Sequence, residues 1–310
     1  MRILLTGGSS FTGLWFARAL AAGGDTVVAA LKRPLGDYSD LRATRVAELG
    51  RVAELVEDSP FGSARFLDLA RSGTWDMLCQ HAARVGNFRA GEFDAAAAVA
   101  ENTHNLREVL TVLSAGGLGG VVLTGSVFEP DEGAGSMPLR AILPYGLSKG
   151  LTWQCYRYWC ERLGVTLGKF VIANPYGPYE GPRFCSTLVR SWIEGKVPSV
   201  RTPLYVRDNI HVELLAAGYA AFTRGLAARR GLVRFNPSGR IESQSTFAAR
   251  LAEAMAPRLG VPCPFNCLEQ SDFSEPVVRI NTDRLDAAAL GWSEPDAWDR
   301  MARFYSEPVV

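Results

Sequence analysis

The sequence predicts an α/β protein, a doubly wound parallel sheet with a smaller C-terminal lobe, and three observations near the N-terminus carry that expectation. Ile3-Leu4-Leu5 is a short unbroken apolar run, as expected of a strand buried on both faces of a parallel sheet. It opens into Thr6-Gly7-Gly8-Ser9-Ser10-Phe11-Thr12-Gly13, after which a helical stretch, Leu14–Ala22, stops at Gly23-Gly24. A second apolar run, Val27–Leu31, then completes a strand–helix–strand unit. The length of 310 residues suits one large domain, or a domain with a smaller lobe.

A glycine turn between strand and helix lets the backbone approach a pyrophosphate, and the helix behind it supplies free N–H groups and a positive dipole end. A tight turn with no ligand has the same glycines. Its position at the start of a strand–helix–strand unit favours the ligand.

The most informative pair lies downstream, in Pro144-Tyr145-Gly146-Leu147-Ser148-Lys149. The chain has only 4 lysines and 9 tyrosines, so chance supplies about 0.1 Tyr-x-x-x-Lys occurrences. At i,i+4 both side chains leave one face of one helix. An ammonium beside a phenol favours the ionised phenol and makes it a proton donor and acceptor for an alcohol/ketone pair. Taken alone, the pair reads equally as a surface Tyr–Lys pair. The glycine turn upstream favours chemistry.

Together, Thr6-Gly7-x-x-x-x-x-Gly13 and Tyr145-x-x-x-Lys149 resemble the short-chain dehydrogenase/reductase superfamily, in its extended, nucleotide-sugar-modifying branch. That branch usually has Thr-Gly-x-x-Gly-x-x-Gly, and Ser10 stands at the middle glycine, where its hydroxyl either donates to a phosphate or loosens the binding. Trp75–Ala83 is similar to the family's fourth strand, whose closing Ala82-Ala83 lies against the cofactor. Asn102 sits where the family has an asparagine that fixes active-site geometry. Val121–Phe128 resembles the strand ending in the catalytic Ser or Thr; the register picks Thr124, with Ser126 as the fallback. Asn174-Pro175-Tyr176-Gly177-Pro178, the run Arg207-Asp208-Asn209-Ile210-His211-Val212 and Leu290-Gly291-Trp292 resemble further family signatures.

The resemblance implies a Rossmann-type dinucleotide-binding domain over residues 1–173 and a mainly substrate-binding lobe over 174–310, with segments returning to the first domain. It implies Thr124, Tyr145 and Lys149 as catalytic residues. Gly7, Ser10, Phe11, Gly13, Asp58, Ala82, Ala83, Tyr145 and Lys149 would meet the dinucleotide. Thr124, Ser126, Asn174 and Arg207 would meet the substrate, Arg207 at the diphosphate of a nucleotide sugar. A homodimer through the helix begun by Tyr145 is also expected; Trp153, Tyr156 and Trp159 recur along it every three residues, a pattern that ordinary packing on a neighbouring helix also explains.

NAD enzymes of this fold place an acid at the end of the second strand, and NADP enzymes place cations there. Here the strand runs Ala29-Ala30-Leu31-Lys32-Arg33, with no acid until Asp37, so Lys32 and Arg33 are expected to bind the 2′-phosphate of NADP. Sugar dehydratases of the family carry Asp-Glu after the catalytic threonine, and decarboxylases a Glu just downstream. Gly125-Ser126 stands there instead. NADPH-dependent reduction of a 4-keto sugar is therefore expected, with a 4-epimerase holding NAD as the alternative and a non-catalytic dinucleotide-binding scaffold as a second alternative.

Composition fits an enzyme with a substantial core: 47% hydrophobic and 21% charged residues. A net charge of +1 leaves no basic footprint for nucleic acid, and no run of 18 apolar residues predicts a membrane span. With Met1 as a native start, opening on a core strand leaves no room for a cleavable signal peptide. The six cysteines are scattered and read as buried thiols in a reducing cytoplasm. No metal site is expected from the spacing of His81, His104 and His211. An alanine-rich helix is expected from Asp94 through Leu113, and Glu129–Pro138 reads as a loop at the mouth of the site, either covering substrate or simply connecting.

Overall fold

The computed structural model describes residues 1–86 and 93–307. In chain order it runs β1 (Arg2–Thr6), α1 (Phe11–Ala22), β2 (Thr26–Ala30), α2 (Asp40–Leu49), β3 (Glu54–Val56), α3 (Ala64–Arg71), β4 (Met77–Gln80), α4 (Ala95–Asn102), α5 (Leu106–Ala115) and β5 (Gly120–Ser126). It continues with β6 (Ala134–Gly135), α6 (Leu143–Leu163), β7 (Leu167–Ile172), β8 (Asn174–Tyr176), α7 (Phe184–Ile193), β9 (Ser199–Val200), β10 (Val206–His211), α8 (Val212–Leu226) and β11 (Leu232–Phe235). The last elements are β12 (Pro237–Ser238), β13 (Arg240–Ser243), α9 (Gln244–Leu259), β14 (Asn266–Cys267), β15 (Val278–Ile280), β16 (Asp283–Arg284) and α10 (Glu294–Ser306).

The chain forms two compact units. The first comprises residues 1–132, 139–172 and 216–236. Its seven strands are all parallel, in the order β11-β7-β5-β4-β1-β2-β3. This is the expected Rossmann-type sheet, and strand order reverses between β1 and β4. Ligands of such sheets bind outside the carboxyl ends of the strands at that point. One face is covered by a core of Leu4, Leu78, Val121, Leu123, Val109, Leu110, Trp153 and Tyr156. On the other, Phe16 of α1 stacks on Tyr219 of α8 at 3.8 Å between ring centroids.

The second unit comprises residues 133–138, 173–215 and 237–310. Its main sheet runs β13-β10-β15-β6, with β8 beside β10. Its core packs Tyr176, Trp192, Phe247, Trp298 and Met301.

Two local expectations need correction. The helix expected from Asp94 through Leu113 is two helices, α4 and α5. Asn105 breaks it: its backbone is left-handed at φ 49°, and its side-chain amide donates to the carbonyl of Gly62 at 2.8 Å. A short polar side chain with a tertiary partner tolerates that conformation where alanine would not. The loop at 129–138 is also partly ordered as a strand, because Ala134 and Gly135 pair antiparallel with Ile280 and Arg279. Trp153 and Tyr156 lie in the first unit's core, with Trp159 packed at its edge, so this spacing is accounted for by packing.

Candidate active site

The glycine turn is shaped by close backbone approach. Gly7 has φ +74°, and a Cβ there would sit 2.7 Å from the backbone nitrogen of Ala82. A Cβ on Gly13 would lie 2.2 Å from the carbonyl oxygen of Gly7. Both positions therefore need glycine, whatever binds outside them. The turn is fastened to the end of β4: Thr6 Oγ1 accepts from the backbone N–H groups of His81 at 3.1 Å and Ala82 at 3.0 Å. It donates in turn to Gln80 Oε1 at 2.9 Å.

Ser10 is the N-cap of α1, its hydroxyl accepting from the N–H of Gly13 at 3.1 Å. The serine is thus a helix cap as well as a departure from the glycine pattern. No acid stands in the first turn of α1, so its positive dipole end is uncompensated. A close turn backed by that helix end suits an anionic pyrophosphate.

Thr124 is buried near the end of β5, where it pairs in register with Phe170 of β7. Lys149, on α6, is buried as well, and its ammonium donates to the carbonyl oxygen of Thr124. Burial pushes the Lys149 ammonium down to about 8, against the pull of Glu129 and with the help of Lys169. Tyr145 lies one turn before Lys149 on the same helix, its ring edge-on to Phe93 at 6.1 Å. Asn102, at the end of α4, donates to Thr152 Oγ1 at 3.2 Å and accepts from the N–H of Arg84 at 2.8 Å. It thereby ties the segment after β4 to α6, within one turn of Lys149.

The structure joins to this group a residue that spacing alone did not reveal. His81 Nδ1 lies 3.1 Å from Thr124 Oγ1, and its Nε2 lies 3.0 Å from both Ser10 Oγ and Thr12 Oγ1. Burial, then the charge of Lys149, pushes the imidazole down to about 3, so it is neutral at ordinary pH. The signal for this network was two hydroxyl residues in the glycine turn and a histidine after β4, which only the fold brings together.

Beneath the site lies a second cluster that spacing did not reveal. Lys169 of β7 donates to Glu129 at 2.5 Å and to Glu132, with all three side chains 2% exposed or less. Arg234 and Asn236 also donate to Glu132, and Lys169 sits over the Trp153 ring at 4.9 Å. Burial pushes the Glu132 carboxyl up, but Lys169, Asn236 and Arg234 outweigh it and hold it below its ordinary range. A Cβ on Gly125 would come within 2.8 Å of Lys169 Cε and 3.1 Å of Glu129 Oε1. A lysine in the apolar run Leu167–Ile172 was the only hint in the sequence.

Other expected site residues lie as follows. Ser126 turns its hydroxyl to the N–H of Phe128 at 3.2 Å, and its own N–H donates to Glu129 Oε1. Leu31, just past β2, is buried. Lys32 pairs with Glu101, while Arg33 and Asp58 are exposed, the Asp58 N–H donating to the Arg33 carbonyl at 3.2 Å. In the second unit, the Asn174 side chain donates to the Asp208 carbonyl at 3.3 Å. Arg207 is buried; it donates to the carbonyls of Val206, Pro276 and Val277, pairs with Glu275 at 3.0 Å and stacks over Tyr205. Asp208 accepts from the N–H groups of Gly239 and Asn281. Among the described residues no cluster of His, Cys, Asp or Glu is placed to hold a metal ion, and no helix is long and apolar enough to cross a membrane.

A parallel doubly wound sheet with a glycine turn at its switch point, and Thr124 joined to a Tyr-x-x-x-Lys helix, define a dinucleotide-dependent enzyme class. The chain belongs to the NAD dependent epimerase/dehydratase family, whose model matches residues 3–231. Among solved structures it is similar to the UDP-glucose 4-epimerase of Thermotoga maritima, solved with UDP-glucose, at 18% identity over 99% of each chain with a TM-score of 0.75. The UDP-glucuronic acid 4-epimerase of Bacillus cereus, solved with UDP-glucuronic acid and NAD, is 17% identical over 99% of each chain, with a TM-score of 0.71. DesIV, a dTDP-glucose 4,6-dehydratase from Streptomyces venezuelae with NAD bound, is 21% identical over 99% of this chain and 98% of its own, with a TM-score of 0.73. A comparison with curated proteins returns no match.

Proposed function

We propose that this enzyme reduces the 4-keto group of a nucleotide-activated sugar with NADPH. The observation that carries the reading is the end of β2, where Leu31 is buried and the two exposed residues that follow are the cations Lys32 and Arg33. An acid for the 2′-hydroxyl of NAD is missing there, and cations suit a 2′-phosphate. The turn at Gly7–Gly13, Phe11, Asp58, Ala82 and Ala83 would hold the rest of the dinucleotide.

A bound nicotinamide supplies hydride. Tyr145 gives the proton to the C4 oxygen as the carbonyl becomes an alcohol. Lys149 stabilises the phenolate left behind and holds the nicotinamide ribose. Thr124 donates a hydrogen bond that orients the same oxygen, and Ser126 and Asn174 flank the sugar. Elimination and decarboxylation are disfavoured because Gly125 and Ser126 stand where relatives with those activities carry acids, and at 125 even a Cβ would crowd Lys169 and Glu129.

The alternative is a 4-epimerase with tightly held NAD. It is favoured by the pairing of Lys32 with Glu101, which occupies one of the two cations, and by the epimerases among the similar structures. Mass spectrometry of the dinucleotide released from purified protein decides between them: retained NAD selects the epimerase, while empty or NADP-loaded protein selects the reductase.

Leu147, Leu151 and Tyr158 are exposed along one side of α6, and we propose a homodimer through that face. The six free thiols suit a cytoplasmic enzyme.

A further inference from the structure

The hydroxyls around His81 determine which of its nitrogens carries the proton. A neutral imidazole has one N–H and one lone pair. Two hydroxyls, Ser10 Oγ and Thr12 Oγ1, converge on Nε2 at 3.0 Å, and one, Thr124 Oγ1, faces Nδ1 at 3.1 Å. Ser10 Oγ already accepts the N–H of Gly13, so its own proton needs an acceptor, and Nε2 is in range. A lone pair on Nε2 gives the Ser10 proton an acceptor, with Thr12 beside it, whereas a proton there would remove that acceptor and make Nε2 a donor to one of the two hydroxyls. Phe16 packs edge-on against the ring at 5.0 Å, which holds its plane.

We propose that His81 is a positioning residue: it donates from Nδ1–H to Thr124 Oγ1, so that the proton of Thr124 is not spent on the imidazole and the substrate oxygen competes for it only with the buried hydroxyl of Tyr219. In the opposite tautomer Thr124 would donate to His81 and could only accept from substrate. The same ring joins the N-cap of α1 to the catalytic strand, so the glycine turn and Thr124 are held by one side chain. The inference rests on the proposed role of Thr124 as a donor to the sugar oxygen.

The chain has three histidines, so the His81 ring nitrogens can be assigned in ¹⁵N-labelled protein by comparison with His104→Gln and His211→Gln. A protonated Nδ1 and an unprotonated Nε2 are expected in the wild type at neutral pH, without any ligand. The reverse pattern overturns the proposal. Kinetics with NADPH and a UDP-4-keto sugar supply the second arm. His81→Leu should lower kcat roughly fivefold to tenfold, the worth of one hydrogen bond, with the sugar KM unchanged. His81→Asn, whose amide N–H takes the place of Nδ1–H, should recover most of it. In a Thr124→Ala background His81→Leu should have no further effect; an additive loss there overturns the proposal. A Thr124→Ala variant with undiminished kcat would instead overturn the role of Thr124 itself, while the nitrogen assignment would still report the tautomer.

Discussion

The ammonium of Lys149 donates to the backbone carbonyl of Thr124, so the cation of the Tyr-x-x-x-Lys helix is anchored to the strand that carries the Thr124 hydroxyl. Helix and strand cannot shift apart without exposing a buried charge to an unsatisfied environment. The placement of Lys149 against Thr124 is thereby built into the fold.

Tyr145→Phe removes the proposed proton donor and keeps the ring against Phe93. Turnover should fall about 10²–10⁴-fold with dinucleotide affinity retained. Near-normal rates on a verified substrate would remove Tyr145 from the mechanism.

Lys149 supplies a pH dependence. Its folded value, about 8, lies below its ordinary value of 10.5. Between those two pH values the unfolded chain binds more protons than the folded one, so stability rises with pH across that window. Below about pH 8 both states are protonated and the full penalty of burying the ammonium is present. Denaturant unfolding of wild type against Lys149→Met should show a difference that moves in favour of wild type by up to ~3 kcal/mol from pH 8 to 10.5. A flat difference would contradict the burial-lowered ammonium.

Lys169→Met leaves Glu129 and Glu132 buried without their shared cation and should cost about 3–5 kcal/mol in chemical denaturation at pH 7. Adding Glu129→Gln and Glu132→Gln should recover much of that loss. Equal stability of wild type and Lys169→Met would show that the cluster is solvated in solution.

Arg207→Ala removes a guanidinium held by Glu275 and three carbonyls. A stability loss of roughly 1.5–3 kcal/mol is expected from those charge-assisted bonds. A tenfold rise in the KM for the nucleotide sugar at unchanged melting temperature would instead assign Arg207 to the diphosphate.

Lys32→Ala with Arg33→Ala should weaken NADPH relative to NADH by tenfold to a hundredfold, at about 1 kcal/mol for each exposed contact. Dissociation constants for both dinucleotides give the answer directly. A wild type that already prefers NADH would favour the epimerase.

The first unit's architecture was readable because its strands are continuous apolar runs and its first turn needs glycine for steric reasons that any ligand would share. What sequence spacing could not supply were the long-range polar pairings. Ser10, Thr12, His81 and Thr124 are spread over more than a hundred residues and meet only because β1, β4 and β5 are neighbours in the sheet. Asn105 divides a good helical pattern through a bond to Gly62 that no local propensity encodes. Arg207 matched a family signature, yet the backbone carbonyls around it are set by how the second unit's strands end.

The ion cluster under β5 also restricts the routes open to mutation. Replacing Lys169 alone strands two carboxylates in the interior, and replacing either glutamate alone upsets a balance that Lys169 and the half-exposed Arg234 share, so an apolar version requires several changes together. Position 125 is shut by the same side chains. An acid at 125, one of the groups an eliminating enzyme of this family would place after the threonine, would have to displace those side chains. A cluster that also bears on the ammonium of Lys149 thus narrows, in sequence space, what can stand beside Thr124.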